Sequence, residues 1–330
     1  MRSEFTMAPS IDFHTDYGHE PVMLHEIVDV FASVPAGCVV DATLGGCGHA
    51  VGILRSHPHL SVLGIDQDAN AIAHAESLRE ANPDLRDRLT VRRGRFDRLG
   101  ETLEELGIEA ISGALFDLGV SSPQFDRAER GFSYRNDGPL DMRMDASQSL
   151  SAFDVVNGYD LDRLTEVIRR YSDERFAHRI AKAIIAARTI ETTSRLAEVV
   201  AEAIPAPARR TGGHPAKRTF QAIRIEVNAE LDILPGALRD VMAKVVPGGR
   251  IAVLSYHSGE DRIVKQVFRD AETDPTRPNI ATPFAHPSRT APRAWRKVKT
   301  AKHPSASEAE RNPRASSARL RVMERCEAVA

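Results

Sequence analysis

With 330 residues, 42% of them hydrophobic, the chain can build a buried core for one large domain or two ordinary ones. Its net charge of −2, taken alone, argues against a nucleic-acid partner. No run approaches the roughly 18 apolar residues of a membrane span, and Met1–Ser10 lacks the apolar core of a secretory signal, so a cytoplasmic protein is expected. The 3 cysteines form no C-x-x-C pair and the 12 histidines no H-E-x-x-H set, so neither a disulfide frame nor a metal site is expected. Met7 is a second candidate start, which would make the first residues an extension.

In chain order, Cys38-Val-Val-Asp-Ala-Thr-Leu is a short apolar run that ends in Gly45-Gly46-Cys47-Gly48 and passes into a stretch with Val51 and Leu54 at helical spacing. This reads as strand, glycine-rich turn, helix. A second strand, from Leu60, ends at Asp66 and leads into helical residues 70–78; a third covers Leu89–Arg93, and a fourth runs from Ile111 to Phe116 and ends at Asp117. Strands alternating with helices predict an α/β fold with a doubly wound, mostly parallel sheet.

The rhythm then stops. The next strand, Arg250–Tyr256, follows Pro247-Gly248-Gly249 more than a hundred residues later, whereas a crossover needs only about a dozen. An inserted domain is expected over 126–225. Its first part, 126–145, is polar and reads as a long ordered loop. Apolar stripes follow at Phe176, Ile180 and Ile184, at Leu196, Val199 and Val200, and at Phe220, Ile223, Val227 and Leu231, which predict helices packing on one another. Residues 261–270 read as a helix, 271–317 as an exposed and partly flexible arm rich in Pro, Arg, Lys and Ser, and 318–325 as a final strand.

The small net charge hides an uneven distribution. Residues 286–330 carry eleven Lys and Arg against four Glu, a balance of +7, and 205–224 carry five basic residues and no acidic one. Such patches attract phosphates, although a basic tail is as often a solvated surface.

In an open α/β sheet the ligand lies at the carboxyl ends of the strands. There stand Asp41, the 45–48 turn, Asp66, Asp117 and His257. A glycine-rich turn lets the backbone approach a nucleoside, and an acidic residue about twenty positions on is placed to hold ribose hydroxyls. Asp66 is that residue, so the cofactor is a dinucleotide or S-adenosylmethionine. The turn lacks the G-x-G-x-x-G spacing for a pyrophosphate, His49 stands where bare amides would be needed, and Phe96 lies where a ring could stack on adenine or simply join the core; the first two favour the methyl donor. A base amine is a poor nucleophile and needs acceptors that hold its N–H groups in line with the methyl carbon. Asp117, Ser121, Ser122 and Gln124 offer such acceptors. Read alone, the same segment is a helix cap and a turn.

These residues resemble those of the bacterial small-subunit ribosomal RNA cytosine-N4 methyltransferases. The resemblance extends from His19 to Arg325 and is carried by the blocks His19-Glu-Pro-Val-Met-Leu, Asp41-Ala-Thr-Leu-Gly, Gly48-His49, Asp66-Gln-Asp, Asp117-Leu-Gly-Val-Ser-Ser-Pro-Gln, Arg130-Gly-Phe-Ser, Gly138-Pro-Leu-Asp-Met-Arg-Met-Asp, Glu174-Arg-Phe-Ala, Arg218-Thr-Phe-Gln-Ala-Ile-Arg and Ser255-Tyr-His-Ser-Gly-Glu-Asp-Arg-Ile-Val-Lys. The resemblance implies a class I S-adenosylmethionine-dependent methyltransferase sheet, Rossmann-like, with an inserted α-helical domain. It divides the chain into an extension (1–18), a first methyltransferase part (19–125), a substrate-recognition insert (126–225) and a second part with a basic arm (226–330). The implied activity is N4-methylation of a cytosine in the decoding region (P site) of 16S ribosomal RNA, with the assembled small ribosomal subunit as the expected substrate. Donor contacts would come from Cys47, Gly48, His49, Asp66, Phe96, Asp117 and Gln124, with Asp117, Ser121 and Ser122 at the chemistry. The family usually has Gly where this chain has Cys47. A Cβ there is expected to restrict the turn to ordinary backbone angles, with Cys47 serving as a backbone contact. Basic residues 215–224, with Phe220 among them, and the C-terminal arm would grip RNA, and His257 would line the base pocket or be structural. A nicotinamide-dependent oxidoreductase and a non-catalytic ribosome-assembly factor are the competing readings.

Overall fold

Seven strands form one sheet in the order β3-β2-β1-β4-β5-β7-β6: β1 (Gly37–Asp41), β2 (Leu60–Asp66), β3 (Leu89–Arg93), β4 (Ile111–Asp117), β5 (Val245–Ser255), β6 (Trp295–Lys297) and β7 (Arg319–Arg325). The computed structural model describes residues 21–209, 213–272 and 294–327. The expected N-terminal extension, the His19 block's first two residues and residues 273–293 of the arm lie outside the described residues.

β1 to β5 pair in parallel, while β7 runs antiparallel to β5 and β6 to β7. The chain builds outward from β1 to β3 and then returns to lay β4 on the other side of β1, which makes the β1/β4 boundary the switch point. Helices cover both faces, so the strands are apolar on both sides. Val39, Val62, Leu115 and Leu254 pack toward one face, and their chain neighbours Val40, Leu63, Phe116 and Val253 toward the other. Each such side chain contributes about 1.5–3 kcal/mol by leaving water.

Between β4 and β5 the insert folds around a core of its own. Helices Ala152–Gly158, Leu161–Ser172, Ala177–Ala186, Thr193–Ala203 and Lys217–Asn228 meet there. The predicted stripes are its inner faces: Ile180, Ile184, Leu196, Val199, Val200, Phe220, Ile223 and Val227 are buried together, with Phe176 and Leu231 at the margin. The last helix runs past residue 225 to Asn228. Residues 126–145 are a loop, yet Phe132, Leu140, Met142 and Met144 are buried in the helical core. Asn228 fixes their path, donating through Nδ2 to Met142 O at 2.8 Å and accepting at Oδ1 from Met144 N at 2.8 Å.

The C-terminal segment is mostly exposed over its described part, as expected, but is anchored at a few points. Trp295 starts β6, Ala306–Arg311 is helical, and Glu308 and Ala315 are buried, with Glu308 Oε1 accepting from Met23 N at 2.6 Å. A few anchors hold a segment whose composition reads as solvated. Its charge is also largely committed: Arg296 and Arg250 pair with Glu324, Lys297 with Glu272, Arg319 and Arg321 with Asp261, and Arg314 with Asp126. The +7 balance therefore overstates what this segment offers to an RNA.

Candidate active site

The turn after β1 is built by hydrogen bonds from neighbouring strands. Ala42 N donates to Leu115 O and Leu44 N to Ile65 O, both at 2.9 Å, which curls the chain over the carboxyl edge of the sheet. Asp41 is buried under the turn and accepts from Thr43 N at 3.2 Å. Asp66, at the end of β2, closes it from the other side: Oδ2 accepts from Gly45 N and Oδ1 from Asp68 N, each at 2.8 Å. Each oxygen keeps a lone pair for a further donor such as a hydroxyl.

Asp117 ends β4 beside this turn. Its N–H donates to Thr43 Oγ1 at 2.7 Å, and its carboxylate takes the Tyr256 hydroxyl at 2.6 Å on Oδ1. His49 Nδ1 stands 3.6 Å from Oδ2. The orientation of His49 is fixed because its Nε2 must donate to the carbonyl of Val22 at 2.9 Å, which leaves Nδ1 toward Asp117. Burial pushes Asp41 up to about 7 and Asp66 up to about 6. Burial also raises Asp117, with His49 and the Tyr256 hydrogen bond limiting the rise. Asp41 feels both other carboxyls, so ionising all three at once is disfavoured, and a positively charged guest would relieve the crowding.

A second hub ties the turn after β4 to the insert. The helix Ser122–Asp126 begins with a box in which Ser121 N donates to Gln124 Oε1 at 3.1 Å. Gln124 Nε2 donates to Asp68 Oδ2 at 3.1 Å, and Arg130 Nη1 to the same oxygen at 2.6 Å. Arg130 Nη2 reaches the carbonyls of Arg143 and Met144 at 2.9 and 3.1 Å. Although burial opposes ionisation of Asp68, the Arg130, Asn70 and Gln124 hydrogen bonds hold its carboxyl below the usual range.

One cavity of about 1300 Å³ joins these parts. Its walls include Gly45, Gly46, Gly48, His49, Asp66, Phe96, Asp117, Ser121, Ser122, Gln124, Tyr256 and His257 from the sheet side, with Tyr134, Arg175, His214 and Lys217 among those from the insert. Phe96 packs edge-on to Phe116, centroids 5.9 Å apart. It therefore belongs to the core margin and the cavity wall at once. His257 likewise has both roles: it faces the cavity, accepts at Nδ1 from Gly259 N, and lies 3.2 Å from Glu260 through Nε2 without a formed hydrogen bond. Glu260 Oε2 accepts from Tyr256 N and His257 N, so it braces the strand end that presents both residues.

Every expected site residue except Cys47 lines this cavity. The expectation for Cys47 is corrected in two respects. Its backbone is left-handed, at φ 65°, so the Cβ has not forced ordinary angles. Its N–H donates to Leu44 O and its carbonyl accepts from Val51 N, while the side chain is buried in the sheet core. Gly48, next in line, is pressed against Pro21, and a Cβ there would come within 2.2 Å of Pro21 Cγ, so position 48 and not 47 is the one that requires glycine. Holding a non-glycine residue left-handed costs about 1–2 kcal/mol, offset here by burial of the thiol. Phe220, expected as an aromatic for RNA, is also in the core. Tyr256, Thr43, Asp68 and Arg130 were assigned no role by sequence reasoning. Tyr256 and Asp68 follow strand ends and stand inside quoted blocks, which was the available signal. Among the described residues, no group of three or more His, Cys, Asp or Glu could hold a metal ion, and no helix is long and apolar enough to cross a membrane.

The chain is 48% identical over 313 residues to the ribosomal RNA small subunit methyltransferase H of Thermobifida fusca, covering 93% of each protein. It is 46% identical over 327 residues to the protein of that name from Mycolicibacterium smegmatis, covering 96% of this chain and 86% of the relative. With that from Lactobacillus delbrueckii subsp. bulgaricus it shares 50% identity over 259 residues, 77% of this chain and 82% of the relative. The MraW methylase family matches residues 16–326, a span holding the turn after β1, both strand-end carboxylates, the insert and the C-terminal strands. Together with these relatives, that match shows that the chain belongs to the MraW methylase family.

Proposed function

We propose that this chain methylates the N4 amino group of a cytosine in the decoding region of 16S ribosomal RNA, with S-adenosylmethionine as donor and the assembled small subunit as substrate. The observation that carries this reading is the meeting, in one cavity, of a nucleoside-type turn with Asp66, the Asp117 carboxylate and the insert's basic wall. Relatives of the chain bear the name of a small-subunit ribosomal RNA methyltransferase, which supports the substrate. Such a substrate would place its work in the cytoplasm.

The site's chemistry fits the donor. Asp66 retains lone pairs for ribose hydroxyls, Gly45, Gly46 and Gly48 give the turn a surface without side chains, and Phe96 offers a ring at the wall. The crowded carboxylates suit a cationic ligand. S-adenosylmethionine supplies an electrophilic methyl group on a positively charged sulfur, which keeps the bonding electron pair when the carbon passes to nitrogen.

The protein's own residues do the rest. Asp117 accepts the cytosine N–H and so turns the amine's lone pair toward the methyl carbon. Its raised pKa makes it a better proton acceptor than an ordinary carboxylate when the methylated nitrogen sheds its proton. The Tyr256 hydroxyl holds the carboxylate in place, with His49 beside it; Ser121 and Ser122 line the base side of the cavity. Gln124 acts by bracing, since its amide is committed to Ser121 and Asp68. Residues 126–228 serve as the substrate-recognition insert.

The test is incubation of the purified chain with labelled donor and either naked 16S RNA or small subunits lacking the modification. Label in N4-methylcytosine, stronger on subunits, is expected; no label on either overturns the reading and favours a non-catalytic assembly factor. Asp117→Ala should abolish transfer with the fold intact, and an unchanged rate would move the chemistry elsewhere.

A further inference from the structure

We propose that the insert's wall of the cavity is a second subsite, which binds by stacking the RNA nucleotide adjacent to the target cytosine; this rests on the methyl-transfer reading above. The cavity, at about 1300 Å³, is larger than the roughly 300–1,000 Å³ that one small ligand occupies. The sheet side accounts for a donor and a base, and the insert side is built differently.

There Tyr134 and His214 stack, with centroids 4.5 Å apart and planes 18° from parallel. Tyr134 is seated edge-on against Phe220, centroids 5.8 Å apart, and Phe220 is buried in the insert core. The stack is thus fixed at its inner end and finishes in the exposed ring of His214. That ring is held by Ala216 N, which donates to Nδ1 at 3.2 Å. A flat, exposed ring that is rigidly backed takes any base, because every base has a π-face.

The cations around it suit the sugar-phosphate backbone. Arg135, Arg175, Lys217 and Arg218 are exposed on this wall. Arg135 lies 5.8 Å from the Tyr134 ring and Arg175 4.6 Å from the Phe176 ring. Of the nearby carboxylates, Glu174 is buried, accepts from Phe176 N and stands 3.7 Å from Arg218, Glu230 pairs with Arg224 and Asp126 with Arg314. A cytosine drawn out of its stack brings its neighbours with it to the cavity. Two stacked rings rimmed by four cations recognise a base with flanking phosphates.

The test uses the full chain saturated with S-adenosylhomocysteine, titrated into a fluorescein-labelled heptaribonucleotide with a central cytosine. Two further oligonucleotides carry an abasic residue before or after that cytosine. One abasic form should bind roughly 5- to 100-fold more weakly, and His214→Ala should weaken the intact oligonucleotide similarly while adding nothing to that abasic loss. Tyr134→Leu should repeat the effect and Tyr134→Phe, which keeps the ring, should rescue it. Unchanged S-adenosylhomocysteine affinity reports an intact fold in each variant. Equal behaviour of the three oligonucleotides with wild-type protein, or losses that multiply between His214→Ala and the abasic form, overturns the subsite. Failure of wild-type protein to methylate small subunits overturns the functional reading instead, and the binding cycle still judges the subsite.

Discussion

Replacing Tyr256 with Phe removes one hydroxyl and tests whether the ionisation of Asp117 governs methyl transfer. That hydroxyl donates to Asp117 Oδ1 at 2.6 Å. Burial raises the Asp117 carboxyl, while His49 and this hydrogen bond pull it back. Tyr256 itself is pushed well above its ordinary value by burial and by Asp117, so it remains a donor across the working range. A hydrogen bond to a charged group contributes about 1.5–3 kcal/mol, and about 1.4 kcal/mol corresponds to one pKa unit. Its loss should therefore move Asp117 up by about one to two pH units. The ionised carboxylate is the form that accepts an amine N–H, so activity is present above its pKa and lost as pH falls through it. In the variant that loss sets in at higher pH, the acid limb moving up by about one to two pH units, and the rate recovers on the alkaline side. The assay is kcat/KM for undermethylated small subunits between about pH 5.5 and 9.5, with S-adenosylhomocysteine affinity as the control for folding. An acid limb that stays in place, or moves down, refutes the reasoning, as does a uniform loss at every pH.

Donor binding should weaken as pH falls from about 8 to 5, because Asp41, at about 7, and Asp66, at about 6, take up protons that the bound state disfavours. S-adenosylmethionine, cationic at sulfur, should lose more affinity than S-adenosylhomocysteine in calorimetry; equal losses would refute the electrostatic account. Arg130→Met breaks a buried pair with Asp68, which costs about 3–5 kcal/mol and lowers Tm on the order of 10 °C by differential scanning fluorimetry. Since Asp68 is held below the usual range, the pair's contribution is complete above about pH 4 and lost as pH falls further, so the difference should narrow in stronger acid. Cys47 should resist iodoacetamide in the native protein, because its thiol is buried and pushed up by burial and by Asp41 and Asp66; peptide mass spectrometry would show Cys326, half-buried, labelling faster.

The sheet was legible because its strands are buried on both faces and read as apolar runs, and the strand-end carboxylates Asp66 and Asp117 followed from where each run stops. The helices of the insert were legible through their stripes. Residues 126–145 hid their anchors, since Phe132, Leu140, Met142 and Met144 are spaced irregularly among charged residues and no periodicity marks them. The C-terminal segment read as solvated because composition reports charge and not its partners, and Glu324 and Asp261 lie elsewhere in the sequence or across the sheet from the arginines they hold. Cys47 was misjudged because residue type alone does not reveal that a non-glycine residue will be held left-handed, here with its side chain buried in the sheet core. Tyr256 could be placed at a strand end, but only the fold brings its hydroxyl to Asp117.

The position of the insert follows from where the chain leaves the sheet. It departs at Asp117, the carboxyl end of β4, next to the switch point, and Arg130 binds it back through an ion pair with Asp68, two residues beyond Asp66. Arg130 also holds the 143–144 carbonyls of the insert's loop, while Gln124 joins the same Asp68 oxygen to the turn beside Asp117. A shift of the insert against the sheet therefore strains a residue whose carboxylate caps the helix after β2 and whose N–H donates to Asp66 at the strand's end. An RNA that fixes the insert and a donor that fixes the end of β2 stabilise the same arrangement, and such coupling is reciprocal. S-adenosylhomocysteine should accordingly bind several-fold more tightly in the presence of the cytosine heptaribonucleotide, within the roughly 5- to 150-fold typical of coupled sites. Arg130→Lys, which keeps the charge but not the fork that spans Asp68 and the two carbonyls, should shrink that factor more than it lowers either affinity alone. A coupling factor that survives the substitution would mean that the two sites communicate by another route.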